Sequence, residues 1–449
     1  MDEETEDDDF EFVPLTEIYH EKDTSKLIRN IKERDTNENP QHWSRKGRIK
    51  WTFTLFFGCF LAYSSRTTMS ICAVQIGKDL GWDKRLSGIV LSSFFFGYIL
   101  TQVLGGVLAD HFGGERMLYI SSGIWSVATF SVPFITRISW FPVTIGIMLA
   151  QVISGAAQGV HFPAIASLLS KSVAIENRNT VFSFAASGTA VGMIFSGLAG
   201  SVLLGFSGWR SVFFLTGGLS ISWALLVGIL ISRENVYKER EIASFDKRES
   251  VPWGKFLCSK PFWALMICAT CESLVFTNLL SWLPTYFHDE FPESKGWLFN
   301  VCPWIASFVL QNVCGMLSDR MVVGGVSRTK VRKIFVSMAL ISTTVLCLIL
   351  NQVTSFSLAL LLMTSIIGLL GCNSSGIGMN PQDLAPKHAG SLFGIMNTLG
   401  AISGMAGVYL TGHILHTTKQ WSSVFHMTSA VSLIGAVSFL LCGTGRQIG

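Results

Sequence analysis

Gly105-Gly-Val-Leu-Ala-Asp110-His-Phe-Gly-Gly-Glu-Arg116-Met117 is the stretch whose reading decides the fold. It follows an apolar run ending near Leu104 and precedes another beginning at Leu118. Its four glycines permit close helix approach and a tight reversal of the chain. Asp110 and Arg116 face each other across that reversal. An aspartate at the C-terminal end of a helix opposes the helix dipole unless it finds donors. Either Arg116 or the N-terminus of a neighbouring helix would supply them. Taken alone, the stretch also fits a simple polar hairpin between two membrane helices.

A second copy narrows the choice. Gly315-Met-Leu-Ser-Asp319-Arg320 repeats the Gly-x-Leu-x-Asp core, again at the end of an apolar run. Arg328, Lys330, Arg332 and Lys333 follow it. One copy falls in each half of the hydrophobic region, as expected of a carrier built from two related halves. The paired pattern resembles the signature loop of the major facilitator superfamily. That resemblance implies an all-α polytopic membrane protein, with twelve transmembrane helices in two pseudo-symmetric six-helix halves.

Composition points the same way. The chain is 49% hydrophobic and only 14% charged, with a mean hydropathy of +0.45. These values exclude an ordinary soluble protein. The net charge of +4 conceals the acidic run Asp2 to Asp9, so the membrane-flanking loops are more basic than the average. No apolar N-terminal segment suggests a cleaved signal peptide. The ten cysteines lie mostly inside apolar runs and read as small core residues. No catalytic constellation stands out, so no enzyme, cofactor, metal or nucleic-acid partner is expected.

In chain order, residues 1–46 read as a disordered acidic cytosolic tail, 47–232 as the first half, 233–260 as a cytosolic linker and 261–449 as the second half with a short tail. Within the tail, Asp23 stands four residues before Leu27 and Ile28. The spacing resembles acidic dileucine sorting signals read by clathrin adaptors. The other reading is an incidental apolar pair. Apolar stretches of spanning length fall near 51–76, 87–109, 117–136, 142–168, 180–204 and 211–232. Six more fall near 261–287, 297–318, 332–351, 355–378, 389–413 and 422–442. Arg45, Lys46 and Arg48, the loop cations Arg116, Lys171 and Arg178, and the basic linker place both termini and the linker in the cytosol. Small-residue pairs Gly188/Gly192 and Ser196/Gly200 in the fifth stretch, and Gly390/Gly394 and Gly400/Gly404 in the eleventh, predict close helix packing.

Polar residues inside these stretches are the candidate site. Arg66 lies within Ala62-Tyr-Ser-Ser-Arg-Thr-Thr-Met-Ser70, deep in the first span. A charge there costs about 2.5–3.5 kcal/mol on insertion scales, so it faces a cavity or a partner. It reads as an anion-binding group, with a buried ion pair as the alternative. Glu272 in the seventh span either pairs with Arg66 in the empty carrier, or is protonated or near an aqueous end. Gln158 and His161 in the fourth span are gating or coupling candidates, or hydrogen-bonded packing residues.

Further blocks resemble one branch of the superfamily. Leu91-Ser-Ser-Phe-Phe-Phe-Gly-Tyr98-Ile-Leu-Thr-Gln102, Gly159-Val-His-Phe-Pro163, Asn380-Pro-Gln-Asp383-Leu-Ala-Pro386 and Gly394-Ile-Met-Asn397-Thr-Leu-Gly400 are similar to the organic-anion carriers. That branch includes the vesicular glutamate carriers, sialin and the type I sodium–phosphate carriers. The resemblance runs from about Trp43 to Cys442. Ser281 to Phe287, Phe291 to Trp304 and the short loop Lys78 to Arg85 look most like its nucleotide carriers. The resemblance implies substrate-binding roles for Arg66, Tyr98 and Asn397. It implies loading of nucleotides, ATP foremost, into secretory or lysosome-related vesicles, with chloride as a possible modulator; phosphate, urate, glutamate and sialic acid are the alternative cargoes. Gln158, Gln151 and Leu91 stand where branch members carry a glutamate, an arginine and a histidine. Those departures favour uptake driven by membrane potential over proton exchange. A non-transporting receptor is the alternative of another class, against which the duplicated loop and even span count argue.

Overall fold

The computed structural model describes residues 42–82, 84–137, 142–233, 251–291 and 296–448. The expected sorting residues Asp23, Leu27 and Ile28, and most of the linker, lie outside the described residues.

The first half comprises α1 (Arg45–Leu80), α2 (Lys84–Phe112), α3 (Gly114–Ile135), α4 (Val143–Gly159), α5 (His161–Ser172), α6 (Ile175–Phe206) and α7 (Trp209–Arg233). A short α8 (Trp253–Leu257) precedes the second half. That half comprises α9 (Lys260–Glu290), α10 (Gly296–Val323), α11 (Arg328–Leu350), α12 (Phe356–Leu370), α13 (Asn380–Leu384), α14 (Ala389–Thr418) and α15 (Trp421–Cys442). Among the described residues, eleven segments are long and apolar enough to cross a membrane, one of them the stacked pair α4–α5. The twelfth crossing is α1, which is 36 residues long but interrupted by Arg66 and its flanking hydroxyls. Ser44 starts it by accepting from Gly47 N at 3.2 Å, and Gly81 ends it in the left-handed region at φ 69°.

Two spans depart from the expected continuous helices, each for a local reason. The fourth breaks between Gly159 and His161. Pro163 has no N–H for the Gly159 carbonyl, and its ring crowds that carbonyl. The tenth, expected to run to residue 378, is α-helical only to Leu370 and continues as a 3-10 turn, Gly371–Ser374, and further turns. Glycines 371, 376 and 378, with Asn373, Ser374 and Ser375 competing for backbone groups, explain the loss of helix there.

Packing repeats between the halves. In the first, α1 packs on α6, α2 on α4 and α3 on α7; in the second, α9 packs on α14, α10 on α12 and α11 on α15. The halves meet along α2 with α14 and α6 with α10. Glycine makes the tightest approaches possible. A Cβ at Gly188 would lie 2.3 Å from the Phe56 carbonyl oxygen, and one at Gly106 would lie 2.2 Å from that of Gly390. The outer faces are apolar. Phe96, Leu100, Leu104 and Leu108 form an exposed stripe along α2 at the i, i+4 spacing of one helix face. Such a stripe suits lipid chains, not water.

Candidate functional site

Four aromatic rings surround the Arg66 guanidinium. Its central carbon lies 4.8 Å from the Phe95 ring centre, 5.0 Å from Phe94, 5.1 Å from Tyr98 and 5.4 Å from Tyr63. Helical spacing accounts for the cage. Tyr63 precedes Arg66 by one turn of α1, and Phe94 and Tyr98 are one turn apart on α2. Among the described residues Arg66 forms no salt bridge. The ring quadrupoles therefore hold a cation inside the span without neutralising it. A half-buried positive charge lacking a carboxylate partner is suited to an anion.

Tyr98 and Asn397 extend this cluster across the boundary between halves. The Asn397 amide donates to the Tyr98 hydroxyl at 3.1 Å and to the Gln102 side-chain carbonyl. Arg66, Tyr98 and Asn397 thus lie in one connected group. Gln102, fully buried, was absent from the expected set, although an amide within an apolar run is a readable signal.

The remaining candidates sit elsewhere. Glu272 on α9 does not pair with Arg66, contrary to one sequence reading. Its neighbours are the Ser273 hydroxyl, 3.5 Å away, and the Asn373 side chain. Arg66 is instead drawn into rings of its own half. Gln158 is buried and donates to the Ser154 hydroxyl of its own helix at 3.4 Å. His161, also buried at the break between α4 and α5, has Nε2 3.9 Å from Cys59 Sγ and packs near Trp223. Neither makes a hydrogen bond to the Arg66 cluster.

The signature loops act between the halves. One Asp110 carboxylate oxygen accepts from Gly390 N at 3.1 Å; the other accepts from Ser391 N and its hydroxyl, both at 2.7 Å. Asp319 accepts from Asn179 N at 3.2 Å, the Asn179 amide at 2.7 Å and Thr180 N at 2.8 Å. Each aspartate is badly placed on its own helix, yet faces the positive end of a helix in the other half. Arg320 is exposed. Arg116 lies in the first turn region of α3, beyond the reversal.

A buried ion pair reinforces the second contact. Arg332, 2% exposed, donates from Nε to Asp383 at 2.6 Å. Its Nη1 donates to Asn179 Oδ1 at 2.6 Å and to the Ser375 carbonyl at 2.7 Å. Asn179 therefore joins Arg332 to Asp319. Sequence reasoning took Arg332 for one of several loop cations, and Asp383 only for part of a family block. These contacts between halves all lie toward the signature-loop ends of the helices. That face is closed around Asp110 and Asp319, with the Arg66 cluster above it.

Comparison with known proteins supplies the context. The chain matches the Major Facilitator Superfamily over residues 55–408. It is 38% identical over 435 residues to the voltage-gated purine nucleotide uniporter SLC17A9 of Mus musculus, covering 94% of this chain and 97% of that protein. The Homo sapiens protein of that name is 37% identical, with 90% and 94% covered. The chloroplastic sodium-dependent phosphate transport protein 1 of Arabidopsis thaliana is 32% identical, with 90% and 81% covered. Among solved structures, the proton:xylose symporter XylE superposes with a TM-score of 0.69 at 13% identity, covering 90% of this chain and 98% of that one. A bacterial homologue of the iron transporter ferroportin in an outward-facing state gives 0.69 at 14% identity, with 87% and 98% covered. At such identities the structures speak for the fold alone.

Proposed function

The chain belongs to the major facilitator superfamily, and we propose that it is a carrier of purine nucleotides, driven by membrane potential and housed in secretory or lysosome-related vesicles. The observation that carries this reading is the caged, carboxylate-free Arg66 in a chain similar from end to end to purine nucleotide uniporters. Phosphate oxygens offer a guanidinium paired, charge-assisted hydrogen bonds. Tyr63 and Tyr98 place hydroxyl groups beside it, and Asn397 brings in the second half.

Transport proceeds by rocking the halves about this midplane site. With the termini and signature loops in the cytosol, the present state is closed to the cytosol. Asp110 and Asp319 then hold it closed by capping α14 and α6. Reversal of the rock exchanges those caps for an opening on the cytosolic side. A lumen-positive potential supplies about 2.3 kcal/mol per charge per 100 mV, so a multiply charged nucleotide accumulates without proton exchange. Gln158, uncharged and bonded within its own helix, agrees with that scheme. Chloride as a modulator, and clathrin adaptors bound through Leu27 and Ile28, complete the proposal.

The second reading is a carrier of another organic anion. Its support is two relatives at 32% identity whose names specify phosphate and ascorbate. Uptake of labelled ATP into liposomes, competed by phosphate, ascorbate, urate, glutamate and sialic acid, decides between them. Competition by nucleotides alone supports the first reading, and equal competition by phosphate or another of these anions supports the second.

A further inference from the structure

Residues 443–448 run on from α15 without helix, across the signature-loop end of the second half, and are tied down along their length. Lys333 of α11 donates to the Leu440 carbonyl at 2.7 Å and so holds the last turn of α15. The Thr444 carbonyl accepts from Asn380 Nδ2 at 2.7 Å. Gly445 N donates to Thr329 Oγ1 at 3.0 Å, and the Thr329 and Thr444 hydroxyls are 3.2 Å apart. Ile448 N donates to the Leu384 carbonyl at 2.8 Å, and its side chain packs against the main apolar core. Gly445 is buried, and a Cβ there would stand 2.9 Å from the Arg328 carbonyl carbon, so glycine permits the close approach. Arg446 and Gln447, between the ties, are exposed. Ordering such a segment costs backbone entropy, which these contacts offset.

The ties fall on both sides of one ion pair. Asn380 and Leu384 are the first and last residues of α13, which carries Asp383. Thr329 lies one turn before Arg332 on α11. The segment therefore joins α11 to α13 where Arg332 and Asp383 meet. Helix α13 is a single turn, too short to hold its shape alone. It packs against α5 and α14, and residues 443–448 supply the hydrogen-bond partners that this packing does not. Without the Thr444 carbonyl, the fully buried Asn380 amide would lose its acceptor. Without Ile448 N, the carbonyl at the end of α13 would lose its donor.

Arg332 carries the effect to the other half. Its Nε is fixed by Asp383, and its Nη1 donates to Asn179 Oδ1 on α6. Asn179 and Thr180 in turn hold Asp319. A shift of α13 against α11 would re-aim the guanidinium and loosen its hold on α6. We propose that residues 443–448 are a strap that positions the Arg332–Asp383 pair, and thereby sets how firmly the halves close on the signature-loop face. Among the described residues, the hydrogen bonds of the strap all go to its own half. It acts on the gate through Arg332, whatever the cargo. Lifting it favours the state open on the signature-loop face.

Spin-label distances measured on the purified full-length protein test the proposal. Labels at the signature-loop ends of α6 and α10 are compared in wild type, Gly445→Pro, Ile448→Asp, Thr329→Val, Thr329→Ser and the exposed control Gln447→Ala. Gly445→Pro removes the N–H that Thr329 accepts. Ile448→Asp sets a charge against the apolar core, and Thr329→Val removes only a hydroxyl. A lost hydrogen bond is worth a factor of about 2 to 10 in an equilibrium. The long-distance population should rise by about that factor in Thr329→Val, and further in Gly445→Pro and Ile448→Asp. Thr329→Ser and Gln447→Ala should match wild type.

The same substitutions are then made together with Arg332→Met and Asp383→Leu, where the strap has no ion pair to position. There they should change the distances no further, whereas a general loss of stability would add in both backgrounds. The proposal is overturned if the strap variants leave the distances unchanged, or shift them equally with and without the ion pair. Should Gly445→Pro or Ile448→Asp fail to fold, Thr329→Val against Thr329→Ser decides the matter alone.

Discussion

Arg66 is where charge, geometry and proposed cargo meet, and its behaviour on substitution follows from the cage. Alanine at this position removes a mid-membrane charge, which favours insertion. The same change leaves four rings around a void and no cation for the substrate. Arg66→Ala is therefore expected to express and insert normally while ATP binding falls at least about a hundredfold, read by equilibrium binding to purified protein. Arg66→Lys keeps the charge but not the planar fork, and recovers little of that loss. Retained binding in both variants would make the arginine structural. At this scale the sequence was informative wherever a residue was unusual for its run. A lone arginine among apolar residues announced itself, as did Glu272. Phe94 and Phe95 did not, because phenylalanine is ordinary in a membrane span and only the neighbouring helix shows where it points.

Helices and loops carry the gate, and their ends matter more than their middles. Asp110 and Asp319 satisfy N–H groups on helices of the other half, so each contact exists only while the halves are closed on that side. Asp110→Asn keeps the shape but turns an amide donor toward Gly390 and Ser391, and loses a charge–dipole term of about 0.3–2 kcal/mol. The population should move toward the state open on the signature-loop face. Spin labels on the signature-loop ends of α2 and α14 should report a longer distance in this variant; an unchanged distance distribution would remove Asp110 from the gate. The Arg332–Asp383 pair makes a separate prediction about stability. Asp383→Leu strands a buried guanidinium and should cost about 3–5 kcal/mol, whereas Arg332→Met with Asp383→Leu should recover most of it. Thermal melting in detergent checks both variants. The two signature loops were legible because a turn, a charge and a repeat coincide within a few residues. Arg332 was not, because its partners Asn179 and Asp383 are 153 and 51 positions away. Pro163 and the Gly371–Gly378 region set their helix breaks by local chemistry, yet hydropathy runs through both, so the spans looked continuous.

For the whole molecule, the two-fold organisation follows from sequence because the Gly-x-Leu-x-Asp core recurs once in each half and hydropathy marks every span, not single residues. The direction of transport, the cargo and the compartment follow from less. Replacing Leu27 and Ile28 by alanine is expected to move the protein from vesicles to the plasma membrane, seen by microscopy of a tagged chain. Unchanged vesicular location would leave the dileucine pair without a sorting role. The central claim is that a polyanion is driven by potential through a cavity whose fixed cation is Arg66. A coupled proton would show itself as uptake that follows a pH gradient, whereas a uniported nucleotide responds to voltage alone. The most direct measurement is ATP uptake into liposomes holding the purified protein, with potassium diffusion setting a lumen-positive potential and equal pH on both sides. The account predicts strong uptake under potential alone, abolished by Arg66→Ala at equal reconstitution. Uptake that needs a pH gradient and ignores the potential, or that persists in Arg66→Ala, would contradict it.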